Sequence, residues 1–347
     1  MPSDHATRRL LLINNGYPDE QHPARCGYML RIHRRLVSAG FDVQVVTLAH
    51  AQTRLAKLLA YGHYWVSLAK HLRSNRFDVT YAHHVNTIAP VLWVFHPSGK
   101  PLWVHWHGSE LRGATRLIMG INRVSLSIAR RLQATHIAPS AYFAREVATA
   151  LQCQTDKIRI SPSGGLDPHT VAQDNKNTKT EKLRLGFAGH LTSTKGFPAM
   201  RTLVARTAEL EAALKRPIEW HMIRHHELQD ASLDHVSWHS PYLPENMPQF
   251  YRAIDLLISP SEAESLGLTT LEALWNDCPV IAPDRFAFGE FVKHGVNGLL
   301  YDTAKPNALF SSIVEAANTR LNPSLNDEPD SLKNYRAESV ERFYASL

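Results

Sequence analysis

Cysteine is scarce in this sequence. The 347-residue chain has three cysteines, Cys26, Cys153 and Cys278, and none of them belongs to a CxxC pair. Because disulfide frameworks and cysteine zinc sites need several cysteines at defined spacings, the sequence predicts neither of them. The three side chains are expected to be reduced thiols, with Cys278 in the core.

The chain also lacks a long hydrophobic run. Its longest apolar stretch, residues 88–95, is far shorter than the ~20 residues that a membrane-spanning helix needs. The N-terminal sequence MPSDHATRRLLLINNG has neither the apolar core nor the small-residue cleavage site of a signal peptide. A cytoplasmic location, at most at the inner face of the cell membrane, is therefore expected.

Three kinds of ligand site lack their usual motif. No Gly-x-Gly-x-x-Gly follows a strand-like run, which argues against a nicotinamide enzyme. No Asp-x-Asp occurs, which argues against a diphosphate site bridged by a metal ion. His105 and His107 point to one side of a strand, with His83 and His84 nearby, but no acid or cysteine completes a zinc set. The sequence therefore predicts no metal.

Charge is unevenly distributed along the chain. Residues 1–175 contain 20 Lys and Arg against 10 Asp and Glu, whereas residues 176–347 contain 18 against 22. The basic half is expected to face nucleic acid or an acidic membrane surface, unless its charges are only solvated. Residues 54–76 mix Arg and Lys with Leu, Tyr and Trp at helical spacing, which suits either a membrane surface or a core helix with a basic outer side.

Short apolar runs alternate with helical patterns along most of the chain. This alternation predicts parallel sheets covered by helices on both faces, and the chain length favours two domains. The domains are predicted at 1–168 and 183–330, joined by a polar linker at 169–182. The helical pattern at 331–347 is predicted to pack back on the first domain. Strand-like runs occur at 8–16, 41–48, 77–83, 101–108, 134–140 and 157–165, and again from 183 to 284. Residues 195–214 are interpreted as one helix and 293–302 as a turn.

The stretch from Ser259 to Asp284 contains the best candidate site. A strand-like run is followed by a loop holding Glu264 and by a helix that starts close to Gly267, with Glu272 about two turns into it. A helix N-terminus suits phosphate, and a carboxylate suits two adjacent sugar hydroxyls. The spacing predicts a nucleotide-sugar site. The plainer alternative for Glu264 is a carboxylate that stabilises the helix dipole.

These residues resemble a known family. The stretch PSEAESLGLTTLEAL is similar to the Glu-x7-Glu signature of the retaining GT-B glycosyltransferases of family GT4. The similarity continues in LGFAGHLTSTKG, in WHGSELRG and in CPVIAPD with GEFVKHGVNGLLYD. The resemblance implies an α/β GT-B fold of two Rossmann-like, doubly wound parallel-sheet domains facing each other across a cleft. The N-terminal domain would bind the acceptor and the C-terminal domain the donor.

The resemblance also implies roles for single residues. Glu272 would bind the ribose hydroxyls, Glu264 the transferred sugar and Lys195 the donor diphosphate. His107 would contact the transferred sugar from the acceptor side. Gly16 and Gly27 would leave room for the phosphates and the acceptor. The other donor-binding residues would be Gly189, His190, Ser265, Leu266, Gly267 and Leu268. The family usually has Arg where this chain has His190, so Arg201 or Arg224 is the alternative contact.

The implied activity is transfer of a hexose from a nucleotide-diphosphate sugar to a hydroxyl of a glycan or polyprenyl-diphosphate-linked acceptor, with retention. Cell-surface polysaccharide synthesis and peripheral contact with an anionic membrane would suit this activity. No cofactor is expected beyond the nucleotide sugar as co-substrate, and no metal. Two alternatives remain: a nucleotide-sugar epimerase or hydrolase on the same scaffold, and a basic nucleic-acid-binding protein. No nucleic-acid partner is predicted, because the aromatic residues near the basic ones belong to helical patterns.

Overall fold

The computed structural model describes residues 7–18, 25–112, 115–167, 181–224, 233, 235–322 and 334–347. The chain divides into two compact units. The N-terminal unit comprises Met1–Gly165 with Asn334–Leu347, and the C-terminal unit comprises Leu166–Lys333. Most of the predicted linker at 169–182 lies outside the described residues.

The N-terminal unit is built on a six-stranded sheet in which every neighbouring pair of strands is parallel. The strand order is β2-β1-β3-β4-β5-β6. All residues of β3 and β4 are buried, as expected for strands covered on both faces. The strands are β1 Arg8–Asn14, β2 Phe41–Thr47, β3 Val79–His83, β4 Leu102–His105, β5 Thr135–Ala138 and β6 Ile158–Ile160.

Helices cover both faces of this sheet because successive strand residues point to opposite sides. Leu11 and Ile13 belong to a core with helix residues such as Leu68. Leu10 and Leu12 belong to a second core on the other face, which includes Val340. The helices are α1 Tyr28–Ser38, α2 Arg54–Ser74, α3 Ala89–Phe95, α4 Arg116–Ala129, α5 Ala141–Leu151 and the C-terminal α11 Ala337–Ser346. Helix α11 contacts α1.

The C-terminal unit has a second six-stranded parallel sheet, ordered β12-β11-β10-β7-β8-β9. The interpretation of residues 293–302 as a turn was wrong for their second half, where Gly298 to Tyr301 pair with β11. The turn residues Gly295 and Asn297 lie directly before this edge strand, so the sequence pattern indicates a turn and not a strand. The strands are β7 Leu183–Phe187, β8 Ile218–Ile223, β9 Val236–His239, β10 Leu256–Ile258, β11 Val280–Pro283 and β12 Gly298–Tyr301.

The single helix predicted at 195–214 is two helices separated at Arg206. The Thr207 hydroxyl donates to the Val204 carbonyl at 2.6 Å and accepts from Trp220 Nε1 at 2.9 Å, so a side chain takes a carbonyl that a continuous helix would use. The helices of this unit are α6 Phe197–Ala205, α7 Thr207–Leu214, α8 Met247–Ala253, α9 Leu268–Trp275 and α10 Ala308–Asn318. In the described part of the chain, no helix combines the length and the apolar character that crossing a membrane would require.

The strand orders locate the places where ligands are expected. In the first sheet the order reverses between β1 and β3, and in the second between β7 and β10. Open parallel sheets bind ligands outside the carboxyl ends of the strands at such switch points. Ligand sites are therefore expected in the loops after β1, β3, β7 and β10.

Candidate functional site

Two loops of the C-terminal unit lie side by side at its switch point. The loop after β7 contains the 3-10 helix Ser193–Lys195, and the loop after β10 contains Glu262 and Ala263. The backbone N–H groups of Glu262 and Ala263 both donate to the carbonyl oxygen of Thr194, at 2.9 and 3.3 Å. These bonds hold the two loops together.

Lys195 and Glu264 form an ion pair across these loops. Lys195 Nζ contacts Glu264 Oε1, and the Ser261 hydroxyl donates to the same oxygen at 3.3 Å. The Glu264 side chain is 10% exposed and the Lys195 side chain 32%, so the carboxylate is nearly enclosed while the ammonium still reaches solvent. The structure thus brings together the two residues predicted for the transferred sugar and for the diphosphate.

Gly196 allows the loops to approach each other. Its φ is +77°, and a Cβ atom there would lie 2.0 Å from the carbonyl oxygen of Pro260. Any other residue would strain the backbone and collide with the opposite loop. Sequence reasoning did not include Gly196 among the site residues, although it directly follows Lys195 in the quoted motif.

The loop after β10 leads into the N-terminus of α9. The predicted residues Ser265, Leu266 and Gly267 stand immediately before its first residue, Leu268. Because the first N–H groups of a helix have no partner inside the helix, this end offers donors and partial positive charge to an anion. Gly267 has a φ of +83°, and a Cβ there would lie 2.5 Å from the Phe288 ring, so the packing of this loop alone already requires glycine.

Glu272 lies nearer to the helix N-terminus than the sequence suggested. It is the fifth residue of α9 rather than two turns into it, because the helix begins at Leu268. Its side chain is buried, and Oε2 accepts a hydrogen bond from the Tyr251 hydroxyl at 2.8 Å. Tyr251 lies on α8 and is also buried. Nothing in the local sequence marks Tyr251 as a partner of Glu272, since the contact depends on how α8 packs against α9.

The residues considered for a further diphosphate contact occupy different places. His190 follows Gly189 in the loop after β7 and is exposed. Arg224 follows β8, the neighbour of β7, with its guanidinium 4.9 Å from the centre of the Trp238 ring. Arg201 lines a cavity with Ile218, the first residue of β8, which is the opposite end of that strand. The geometry therefore favours His190 and Arg224 over Arg201.

In the N-terminal unit, the two predicted glycines flank the loop after β1. A Cβ atom at Gly16 would lie 2.8 Å from the Cys26 sulfur, and Gly27 directly precedes α1. Arg25, which sequence reasoning did not single out, donates to the carbonyl oxygens of Asn15 at 3.0 Å and of Leu48 at 3.3 Å. Residues 19–24 of this loop lie outside the described residues.

His107 belongs to a cluster of imidazole rings at the ends of β3 and β4. His83 and His105 end these strands and pair directly across them. His83 Nδ1 and His107 Nε2 are hydrogen-bonded at 2.8 Å, and the rings of His105 and His107 stack with centroids 4.7 Å apart. Tyr81 is hydrogen-bonded to His105 Nδ1 at 2.7 Å. We call His83, His105 and His107 the histidine cluster.

The histidine cluster is uncharged near neutral pH. Burial, together with repulsion from the neighbouring His84, lowers the pKa of His105 to about 3. Burial also holds the pKa of His83 and of His107 well below the ordinary value, with repulsion from the adjacent imidazoles as the second cause. The His107 ring can therefore both donate and accept a hydrogen bond at pH 7.

A buried acid lies next to the cluster, although the sequence interpretation found none that completes it. Glu110 is 2% exposed, and its carboxylate accepts from the backbone N–H groups of His107 at 3.1 Å and of Gly108 at 2.8 Å. The same carboxylate lies 4.0 Å from His84 Nδ1. The spacing in WHGSE, with the acid three residues after His107, is the signal that could have revealed it.

Comparison with known families identifies part of the chain. Residues 182–319 match the profile of the family described as Glycosyl transferases group 1. This segment is a group 1 glycosyl transferase domain. The group 1 segment runs from β7 to α10 and contains Lys195, Glu264 and Glu272. The predicted resemblance is confirmed, while the narrower assignment to family GT4 stays a prediction.

Two relatives show how far the sequence similarity extends. The chain is 28% identical over 282 residues to a D-inositol 3-phosphate glycosyltransferase of Arthrobacter sp. (strain FB24), which corresponds to 74% of this chain and 61% of that protein. It is 48% identical over 50 residues, 14% of each chain, to the lipopolysaccharide core biosynthesis mannosyltransferase LpsB of Rhizobium meliloti. The chain thus covers less than two thirds of the length of either relative.

Solved structures establish the fold over nearly the whole chain. The apo form of the lipopolysaccharide outer core galactosyltransferase WaaB aligns with a TM-score of 0.63 at 14% identity, covering 98% of this chain and all of that chain. Anabaena Alr3699/HepE in complex with UDP-glucose aligns with a TM-score of 0.64 at 16% identity, covering 97% and 98%. These alignments and the two parallel sheets confirm the predicted GT-B fold class.

Proposed function

We propose that the chain is a glycosyltransferase that moves a hexose from a nucleotide-diphosphate sugar to a hydroxyl of a glycan or lipid-linked acceptor, with retention of the anomeric configuration. The observation that carries this proposal is the Lys195–Glu264 ion pair beside the N-terminus of α9. It lies within the group 1 segment. The HepE structure contains UDP-glucose, which supports a nucleotide sugar as the donor.

Different residues of the C-terminal unit bind different parts of the donor. Glu272 accepts hydrogen bonds from the ribose hydroxyls, while Tyr251 holds its carboxylate in place. Glu264 accepts from hydroxyls of the transferred hexose. The Lys195 ammonium and the N–H groups at the start of α9 bind the diphosphate and stabilise the negative charge that grows on it.

The transfer step needs no nucleophile from the protein. The bond between the anomeric carbon and the β-phosphate oxygen breaks, and the nucleoside diphosphate leaves with the bonding electrons. The acceptor oxygen forms the new bond on the same face, and its proton passes to the departing phosphate. His107, with its neutral ring, donates to or accepts from a sugar hydroxyl.

The roles of the two glutamates are tested by separating turnover from binding. Glu264→Gln is expected to lower kcat about 10²- to 10³-fold, the typical loss when one preorganised polar group of a transition state is removed, while nucleotide affinity changes little. Glu272→Gln is expected to weaken nucleotide binding about 10- to 100-fold, as for a lost charge-assisted hydrogen bond. Steady-state kinetics and calorimetry measure the two effects.

Glu262→Gln is the matched control, because Glu262 lies in the same loop with an exposed side chain. It is expected to behave like the wild type. Full activity in both Glu264→Gln and Glu272→Gln would overturn the assignment. A first screen of nucleotide sugars by thermal shift identifies the donor, since a ligand that binds only the folded protein raises its stability.

An exposed apolar surface supports a lipid-linked acceptor and peripheral membrane contact. On α4, Leu117, Ile121 and Val124 lie on one face at i, i+4 and i+7 and are 75%, 47% and 60% exposed. Arg116 and Arg123 are exposed together on the flank of this face. Such a helix can insert its apolar face among lipid chains while its arginines bind lipid phosphates.

The predicted membrane segment at 54–76 contributes to the same side of the unit. It forms α2, where Leu55 and Leu58 are 69% and 70% exposed. Helix α3 contacts both α2 and α4, so the three helices are neighbours. Sequence reasoning missed the contribution of α4.

Vesicle flotation tests the membrane contact. The wild type is expected to float with vesicles rich in phosphatidylglycerol and not with phosphatidylcholine alone. Leu117→Ser combined with Ile121→Ser should reduce binding at least tenfold, because two large apolar side chains no longer insert. Flotation of this variant at the wild-type level would exclude α4 as the membrane surface.

A further inference from the structure

The histidine cluster brings three potential metal ligands together in the N-terminal unit. One ligand nitrogen from each of His83, His105 and His107 lies within 4.8 Å of the others. Zinc bound tetrahedrally by nitrogens at ~2.0–2.1 Å needs them roughly 3.4 Å apart, so the nitrogens have to approach one another by at most about 1.4 Å. His107 is only partly buried and follows the end of β4, whereas His83 and His105 are buried at the ends of their strands.

Two ring nitrogens of the cluster lack any partner among the described residues. His83 Nε2 and His105 Nε2 are both buried, and neither forms a hydrogen bond. Buried polar atoms are nearly always paired, since an unpaired one loses its hydration without compensation. Two such atoms on directly paired residues indicate that the cluster is built to receive a ligand that the chain itself does not supply.

The surroundings of the cluster suit a cation. Tyr81 fixes His105 through Nδ1, as outer partners do for metal-bound histidines, and leaves Nε2 for the ion. The buried carboxylate of Glu110, bonded to the backbone of His107, supplies a negative charge nearby.

We propose that His83, His105 and His107 bind one divalent transition-metal ion of the zinc class. Three imidazoles favour Zn²⁺, Co²⁺, Ni²⁺ or Cu²⁺, whereas Mg²⁺ and Ca²⁺ prefer oxygen ligands. The fourth position is open to a small ligand such as water. This site goes beyond the proposed function, which uses His107 alone and no metal.

Cobalt titration of chelator-treated protein without an affinity tag tests the site. One equivalent of Co²⁺ per chain is expected to give visible absorption bands of four-coordinate Co²⁺, and Zn²⁺ should displace it. His105→Gln and His107→Gln should each weaken binding at least tenfold. The matched control is His136→Gln, because His136 is a histidine of the same unit that is bonded to Trp106 and lies outside the cluster.

The outcomes decide the proposal in either direction. Loss of the bands in His107→Gln with retention in His136→Gln supports it, provided that both variants keep the wild-type circular dichroism spectrum. His107→Gln covers the case in which His105→Gln, at a fully buried position, does not fold. Absence of the bands in the wild type, or equal affinity in wild type and His107→Gln, overturns the proposal.

A consequence follows that rests on the proposed function. A metal-bound His107 cannot contact a sugar hydroxyl through the same nitrogen, so Zn²⁺ is expected to inhibit transfer and a chelator to restore it. Cobalt bands without inhibition would refute the role of His107 in transfer and leave the metal site intact. Inhibition without cobalt bands would refute the metal site and leave the transferase proposal intact.

Discussion

At Gly196, the carbonyl oxygen of Pro260 occupies the space that a side chain would need, and the backbone has a positive φ. Gly62, in contrast, lies on α2, and apart from its own stretch of helix no atom lies within 4 Å of the position that a Cβ would take. The two glycines therefore have opposite requirements. One is fixed by the close contact of two loops that carry the candidate site, and the other only weakens a helix.

Substitution by alanine distinguishes these glycines. Gly196→Ala is expected to lower the free energy of unfolding by at least ~2 kcal/mol, because a left-handed conformation alone costs a residue with a Cβ about 1–2 kcal/mol. Gly62→Ala should raise it by about 0.5–1 kcal/mol, since alanine favours the helix. Chemical denaturation measures both, and equal effects would contradict the loop contact.

Stability at acid pH is expected to depend on His136. Burial lowers the pKa of His136 to about 4, from an ordinary value of 6.5. Between these values the unfolded chain binds a proton that the folded chain does not, so stability falls as the pH falls, by about 1.4 kcal/mol per pH unit. His136→Gln, measured by urea denaturation with a chelator present, should lose about 2 kcal/mol less than the wild type between pH 7 and pH 5. Parallel losses would contradict the lowered pKa.

Among the elements, the break between α6 and α7 shows where a helical pattern was misleading. The apolar spacing continues through Arg206, so the sequence predicts one helix. Thr207 ends it because its hydroxyl donates a hydrogen bond to the Val204 carbonyl and also accepts one from the indole N–H of the buried Trp220. A helix interrupted by a tertiary contact cannot be recognised from periodicity alone.

Removing that hydroxyl tests its contribution. Thr207→Ala is expected to lower the free energy of unfolding by about 1–3 kcal/mol, because the buried indole N–H of Trp220 loses its acceptor. Thr207→Ser keeps the oxygen and should remain within about 1 kcal/mol of the wild type. Thermal or urea denaturation measures the free energy of unfolding of both variants. Identical values for Thr207→Ala and Thr207→Ser would show that the hydroxyl does not contribute to stability.

The features that the sequence predicts are determined by residues close together in the chain. The features that it does not predict depend on contacts that form only when the chain folds. Apolar runs ended by turn residues gave most strands correctly, and the motif around Glu264 located the loop that meets Lys195. The contacts of Glu272 with Tyr251 and of Glu110 with the backbone at His107 were not predicted. Tyr251 is distant in sequence, and a buried acid three residues away looks like any other glutamate until the loop is folded.

On the scale of the whole molecule, each unit has its own sheet and its own apolar core. The candidate donor site belongs entirely to the C-terminal unit, since Lys195, Tyr251, Glu264 and Glu272 all lie within residues 166–333. Binding of a donor nucleotide should therefore stabilise one unit directly.

Differential scanning calorimetry tests this division. Two unfolding transitions are expected, and Gly196→Ala should lower only the one that belongs to the C-terminal unit. A nucleoside diphosphate at 100 times its Kd should raise the free energy of unfolding of the C-terminal unit by about 2.7 kcal/mol and shift that transition to higher temperature. Glu272→Gln should abolish the shift. A nucleotide that stabilises only the transition of the N-terminal unit would contradict a donor site in the C-terminal unit.

The return of α11 to the N-terminal sheet affects how the protein can form during synthesis. Val340 and Tyr344 complete a core whose other members include Leu10 and Trp103, more than 200 positions earlier in the chain. The ribosome delivers every strand of both sheets before it delivers this helix. The first sheet is thus translated early, with α1 covering only part of one apolar face, and the nascent chain is expected to depend on chaperones until α11 has emerged.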